Sequence, residues 1–177
     1  MDLLIALEFS GIVAALAWMG AAAVLGLILL TADRDGDDAA VLRAVAESAL
    51  ISRRGIRPAM SATLLALVLL ACIEGFAGEA WVVLSGGLSL AAWVVAQRTA
   101  EPSCDKALQM PPGAAPVRAR QALRLMRGTL GLQVGALAAL ILTPGWSEAA
   151  VLAGLAACLG LAVALARGMG EGASDTA

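Results

Sequence analysis

The stretch LLIALEFSGIVAALAWMGAAAVLGLILLT, residues 3–31, decides the fold class. Apart from Glu8 it carries no ionisable side chain, and roughly 20 apolar residues suffice to cross the hydrocarbon core of a bilayer as a helix. It has no basic leader segment, and its apolar run outlasts that of a secretory signal, so it reads as a retained transmembrane helix.

The rest of the chain agrees. Of 177 residues, 60% are hydrophobic and only 15% charged, with a mean hydropathy of +0.87, which is more apolar surface than a soluble domain of this length could hide. Ala and Gly do much of the filling and aromatic residues are scarce, as suits closely packed membrane helices. Histidine is absent, which removes imidazole as a haem or zinc ligand, a general base or a proton relay. The formal charge of −2 gives no reason to expect nucleic-acid binding. Cys72, Cys104 and Cys158 are too scattered for a disulfide framework or a CxxC metal site.

Five segments have the length and polarity of spans: residues 3–31, 57–77, 80–97, 123–143 and 148–166. The short turns EGFAGE and TPGWSE should make antiparallel hairpins of the second and third spans and of the fourth and fifth. Arginine and lysine test this division independently. All 12 fall in the two long connections, at the span ends that flank them, or after the last span: from Arg34 to Arg57, from Arg98 to Arg127, and at Arg167. The positive-inside rule then puts the N-terminus outside and the C-terminus in the cytoplasm, with Trp81 and Trp146 at the outer interface and Trp93 near the inner one. The expected fold is an all-α membrane protein: a five-helix antiparallel bundle over residues 1–168 with a polar tail, 169–177, in a bacterial inner membrane.

In the first long connection, Asp37 or Asp38 can cap a short helix on which Val41, Leu42, Val45 and Ala49 share a face opposite Arg43 and Glu47. That helix should lie on the membrane or continue the first span. The second, EPSCDKALQMPPGAAPVRAR, has four prolines and should be mostly irregular. Gly131, Gly135 and Ala139, with Ala156, Gly160 and Ala164, place small residues four apart, the pattern by which membrane helices approach closely. The fourth span is therefore expected to pack on the fifth, or against a second copy.

Three polar residues within spans are candidates for an ion or proton site: Glu8, Glu74 and Gln133. The two carboxylates lie at similar shallow depth. They either meet, sharing a proton or a cation, or reach separately to the headgroups. Gln133, near the middle of its span, either bonds a neighbouring helix or lines a polar path. Cys72, Cys158, Met19 and Met60 lack the spacing of a copper(I) site, and DRDGDD lacks the glycine and glutamate positions of a calcium loop. No nucleophile–base pair, phosphate loop or metal site can be assembled, and no cofactor is implied.

The motif AWMG in the first helix, the basic connection ending RRGIRPAMSATLLALVLL, a third helix opened by Trp81 and a fourth ending LTPGW together resemble the bacterial copper-resistance D-like membrane proteins. That grouping includes the HemJ-type protoporphyrinogen oxidases. The resemblance covers about residues 3–146 and implies a helical bundle with Trp18 and Gly20 as a packing site. It implies no haem here, because the first-helix histidine of those relatives is replaced by Gly11. Two function classes are open: an interaction or assembly subunit contacting lipid and a membrane partner or a second copy, and a small transporter or cation- or proton-handling protein using Glu8, Glu74 and Gln133.

Overall fold

The computed structural model describes residues 2–35, 37–111, 113–148 and 151. Among them every regular element is helical. Helix α1 spans Asp2–Asp35, α2 Asp38–Ile51, α3 Arg57–Glu74, α4 Ala80–Val95, α5 Glu101–Leu108 and α6 Ala115–Leu142. Helices α2 and α3 run on through a π-helical turn, Ser52–Ile56, and α4 and α5 through a second, Ala96–Ala100. The result is four long rods, each with a stretch long and apolar enough to cross a membrane: Leu3–Ala32, Asp38–Glu74, Ala80–Leu108 and Ala115–Leu142. The chain is thus a helical protein with four candidate membrane spans. The fifth expected span, 148–166, and with it Ala156, Gly160 and Ala164, lies outside the described residues but for its first positions.

The helix expected after the first span forms where the sequence places it. Asp37 caps α2, its carboxylate accepting a hydrogen bond from the Ala39 N–H at 3.3 Å, which satisfies one of the donors a helix start leaves free. Val41, Val45 and Ala49 are buried and Arg43 and Glu47 exposed. The helix continues the second span rather than the first, and its apolar face meets α1, α5 and α6 rather than a membrane surface.

The second connection departs further from expectation, because most of it is helix. Pro116 stands in the first turn of α6, where a missing N–H costs nothing and the fixed φ suits the helix, whereas Pro102 opens α5 inside a continuous rod. Arg118 and Arg120, expected in a loop, consequently project from α6 with Arg124 and Arg127. The π turns explain how a proline is carried inside a rod. The segments SRRGIRP, 52–58, and AQRTAEP, 96–102, each place a charged residue and a proline directly after the widened turn. A proline cannot take its place in the i→i−4 ladder and crowds the carbonyl four residues back. In the π turns the Arg57 N–H bonds the Ser52 carbonyl and the Glu101 N–H the Ala96 carbonyl, a longer reach that loosens the helix just before the proline.

At about 1.5 Å per residue, the 34-residue α1 and the 37-residue second rod are 50 Å or more in length, well beyond a hydrocarbon core of roughly 30 Å. The surplus gathers at the arginine-bearing end. There α2, α5, α6 and the end of α1 make a small-residue core that includes Ala44, Val45, Cys104, Ala107, Ala119 and Ala122. At the opposite end the rods sort into pairs. Helix α3 packs most heavily on α1, and α4 on α6, while α3 and α4 touch much less although the turn after Glu74 joins them. That turn is closed by Gly75 at φ +82°, whose N–H bonds the Ala71 carbonyl at 3.0 Å.

The α1–α3 approach is close. A Cβ placed on Gly11 would lie 3.1 Å from the Ala66 Cβ, and one on Gly55 3.3 Å from the Ala21 Cβ. Gly20 has open space around it among the described residues. Gly11→Leu should therefore force α1 from α3 and cost about 1–3 kcal/mol, whereas Gly20→Leu should stay within about 0.5 kcal/mol of the parent. Reversible unfolding in mixed micelles measures both, and equal costs would contradict the close helix contact.

Candidate functional site

The looseness between the two helix pairs leaves a groove of about 390 Å³, walled by α1, α3, the start of α4 and the end of α6. On α1 the lining runs from Glu8 through Gly11 and Ala15 to Met19, a length of roughly 16 Å. Leu70, Leu67 and Thr63 line it on α3, and Leu140 on α6. Phe76 and Trp81 form its upper rim, their rings stacked with centroids 5.5 Å apart and planes at 25°. Among the described lining side chains only Glu8 is ionisable.

Below the groove, toward the arginine end, lies a second and much smaller cavity of about 10 Å³. Met60, Arg57, Ala92, Trp93, Glu101 and Gln133 are among its walls. This is near the lower limit for one water molecule. The Gln133 side chain is buried, and its Oε1 has no hydrogen-bond partner among the described residues. One turn along α4 from Ala92, the buried Ser89 Oγ is likewise without a partner. An amide oxygen and a hydroxyl left so in a bundle interior are costly, and they mark where a polar guest would be welcome.

The far wall of this cavity is a charge cluster. Glu101 is only 5% exposed. Its Oε1 accepts from the Ser52 hydroxyl at 3.0 Å, and its Oε2 accepts from the Arg53 Nε at 3.2 Å and from the Arg57 guanidinium. Arg53 also donates to Asp105 at 2.6 Å. Two carboxylates thus face two guanidiniums, one of which bridges both acids. Arg57 and Glu101 are each the first residue after a π turn. One extra residue in a turn rotates the downstream helix by about 100°, so the two widened turns set the phase of both partners. Farther out, Arg120 of α6 pairs with Asp38 of α2 at 2.8 Å, and Arg127 donates to the Leu29 carbonyl of α1 at 3.2 Å.

The structure places the three sequence candidates in different surroundings. Glu8 lines the groove, Gln133 lines the small polar cavity, and Glu74, exposed at the end of α3, belongs to neither. No hydrogen bond joins Glu8 to Glu74. Of the expected packing residues, Trp18 is fully buried with its indole N–H unpartnered among the described residues, and Ala139 is buried. Gly135 faces α4, where an added Cβ would lie 3.4 Å from the Leu88 Cδ1, and Gly131 has nothing within 4 Å among the described residues. Sequence reasoning missed Ser52, Arg53, Arg57, Glu101 and Asp105. The signal that could have found them is the matched pair of charged residues before Pro58 and Pro102. Among the described residues no three acidic, cysteine or histidine side chains gather as metal ligands. Comparison with protein-family models, with curated proteins and with solved structures finds no match.

The cluster's energetics are asymmetric. The Arg53 and Arg57 side chains are 41% and 35% exposed, so water can take over from a lost carboxylate, whereas Glu101 has little water to turn to. Replacing both arginines by alanine should cost about 3–5 kcal/mol, Glu101→Gln clearly less, and Asp105→Asn under about 1 kcal/mol. Unfolding in mixed micelles checks the order; a double arginine variant no weaker than Asp105→Asn would contradict it.

Proposed function

We propose that the protein is a small membrane transporter whose groove is an outer vestibule and whose Glu101 cluster is the closure on the cytoplasmic side. One observation carries this reading. Along a single face of the second rod, Leu70, Leu67 and Thr63 line the groove, Met60 and Arg57 the polar cavity, and Ser52 and Arg53 the charge cluster. Residues three and four apart share a face of the α-helix from Arg57 to Leu70, and the i→i−5 reach of the π turn brings Ser52 below Arg57, so vestibule, cavity and closure stand in line. Thr63 and Met60 are only about 4.5 Å apart along the axis. The confinement of Lys and Arg to one set of connections supports a bacterial inner membrane with the N-terminus and groove outside.

Kinship with the copper-resistance D-like group is proposed for the bundle alone, supported by four long helices with Trp18 inside. A side chain at Gly11, such as the histidine of those relatives, would crowd Ala66, whose Cβ lies 3.1 Å from where its own Cβ would stand. The second reading, an assembly subunit, is favoured by Gly128 and Gly131, which present an exposed small-residue strip on α6 with open space around it among the described residues. Disulfide formation at Gly131→Cys in native membranes tests for a second copy there.

Thiol labelling tests the transport reading. In oriented vesicles Gln133→Cys, in a background without the native cysteines, should be protected from a membrane-impermeant reagent on the cytoplasmic side. Adding Glu101→Gln should expose it from that side. Protection unchanged in the double variant would overturn the proposal that the cluster closes a path.

A further inference from the structure

We infer that the groove between α1, α3 and α4 binds a lipophilic monovalent cation, an organic cation whose charge is buried in apolar substituents; this rests on the groove being a vestibule. Charge selects the sign of the guest. Glu8 is the one ionisable residue lining the groove, and it makes no ion pair or hydrogen bond among the described residues. No Lys or Arg occurs in residues 1–33, 58–97 or 128–166, so the chain's membrane portion has no cation to offer it. An anionic guest would meet an uncompensated carboxylate, and a neutral one would leave it unanswered.

The lining chooses among cations. Besides Glu8 and the Thr63 hydroxyl the walls are apolar side chains. A hydrated inorganic ion entering there would trade its water shell for one carboxylate and one hydroxyl, since no second acid is among the described residues that line the groove. A lipophilic cation has little hydration to lose and much apolar surface to bury. The stacked Phe76 and Trp81 rings at the rim, close to the Glu8 end, supply the electron-rich faces to which such cations are drawn. The volume of about 390 Å³ lies within the usual range for small-molecule sites.

Binding of radiolabelled tetraphenylphosphonium to the full chain in lipid nanodiscs tests this. The expected result is saturable binding, weakened about tenfold or more by Glu8→Gln and about threefold by Trp81→Leu. Glu74→Gln should leave it unchanged, and the isosteric anion tetraphenylborate should not displace it. Each variant is checked for a parental unfolding profile. Absence of saturable binding, equal loss in Glu8→Gln and Glu74→Gln, or displacement by tetraphenylborate would overturn the inference. Binding seen in phosphatidylcholine discs but abolished by phosphatidylethanolamine would assign the groove to a lipid ammonium and also overturn it. If binding fails while Gln133→Cys still becomes reactive in the Glu101→Gln background, the path stands and only the cation assignment falls.

Discussion

A carboxylate held away from water must find its counter-charge inside the protein, and Glu101 finds it on the neighbouring rod. Ser52, Arg53 and Arg57 all belong to the second rod, Glu101 and Asp105 to the third. The pairing therefore fixes how these two rods are rotated about their axes. It also gives the two π turns a common role, since Arg57 and Glu101 each follow directly on one and the widened turn sets the phase in which they face each other. Such pairs need not add net stability over a well-packed apolar contact. Their value is in register, because no sliding or rotation of either rod keeps three donors on one carboxylate.

Closure at that level shapes the rest. The protruding end is dense, with alanines and a buried cysteine between α2, α5 and α6. The opposite end has no polar clasp between the α1–α3 and α4–α6 pairs among the described residues, and the apolar groove opens there. In water such a groove would be squeezed shut by its own hydrophobicity. In a membrane lipid tails are as apolar as the walls, so that driving force is missing. The helices can then splay around a guest at little cost. Widened turns next to prolines are natural hinges for such motion.

Much of the architecture was legible. Hydropathy marks the four long helices, and Asp37 announces the start of α2 through ordinary capping chemistry. Pro116 misled because proline speaks against a helix interior and equally for a helix start, and Pro102 because a π turn before it carries it inside a rod; composition cannot tell these apart. The candidate site was legible in fragments. Glu8 and Gln133 stood out as polar residues in apolar runs, but nothing in the chain shows that one lines a groove and the other a separate cavity. Glu101 reads as a loop acid, and its partners lie 44 to 49 residues away. Only tertiary packing, which turns the helix after each π turn inward, makes it a buried group.

The distance between α2 and α5 across the protruding end tests most directly whether the Glu101 cluster is what holds the rods together there. Spin labels at the exposed Leu50 and Leu108, measured by double electron–electron resonance in nanodiscs, report it. The parent should give one narrow distance distribution, and Glu101→Gln should add a longer population. An unchanged narrow distribution in the variant would show that apolar packing alone closes this end and that the charge cluster is not the clasp.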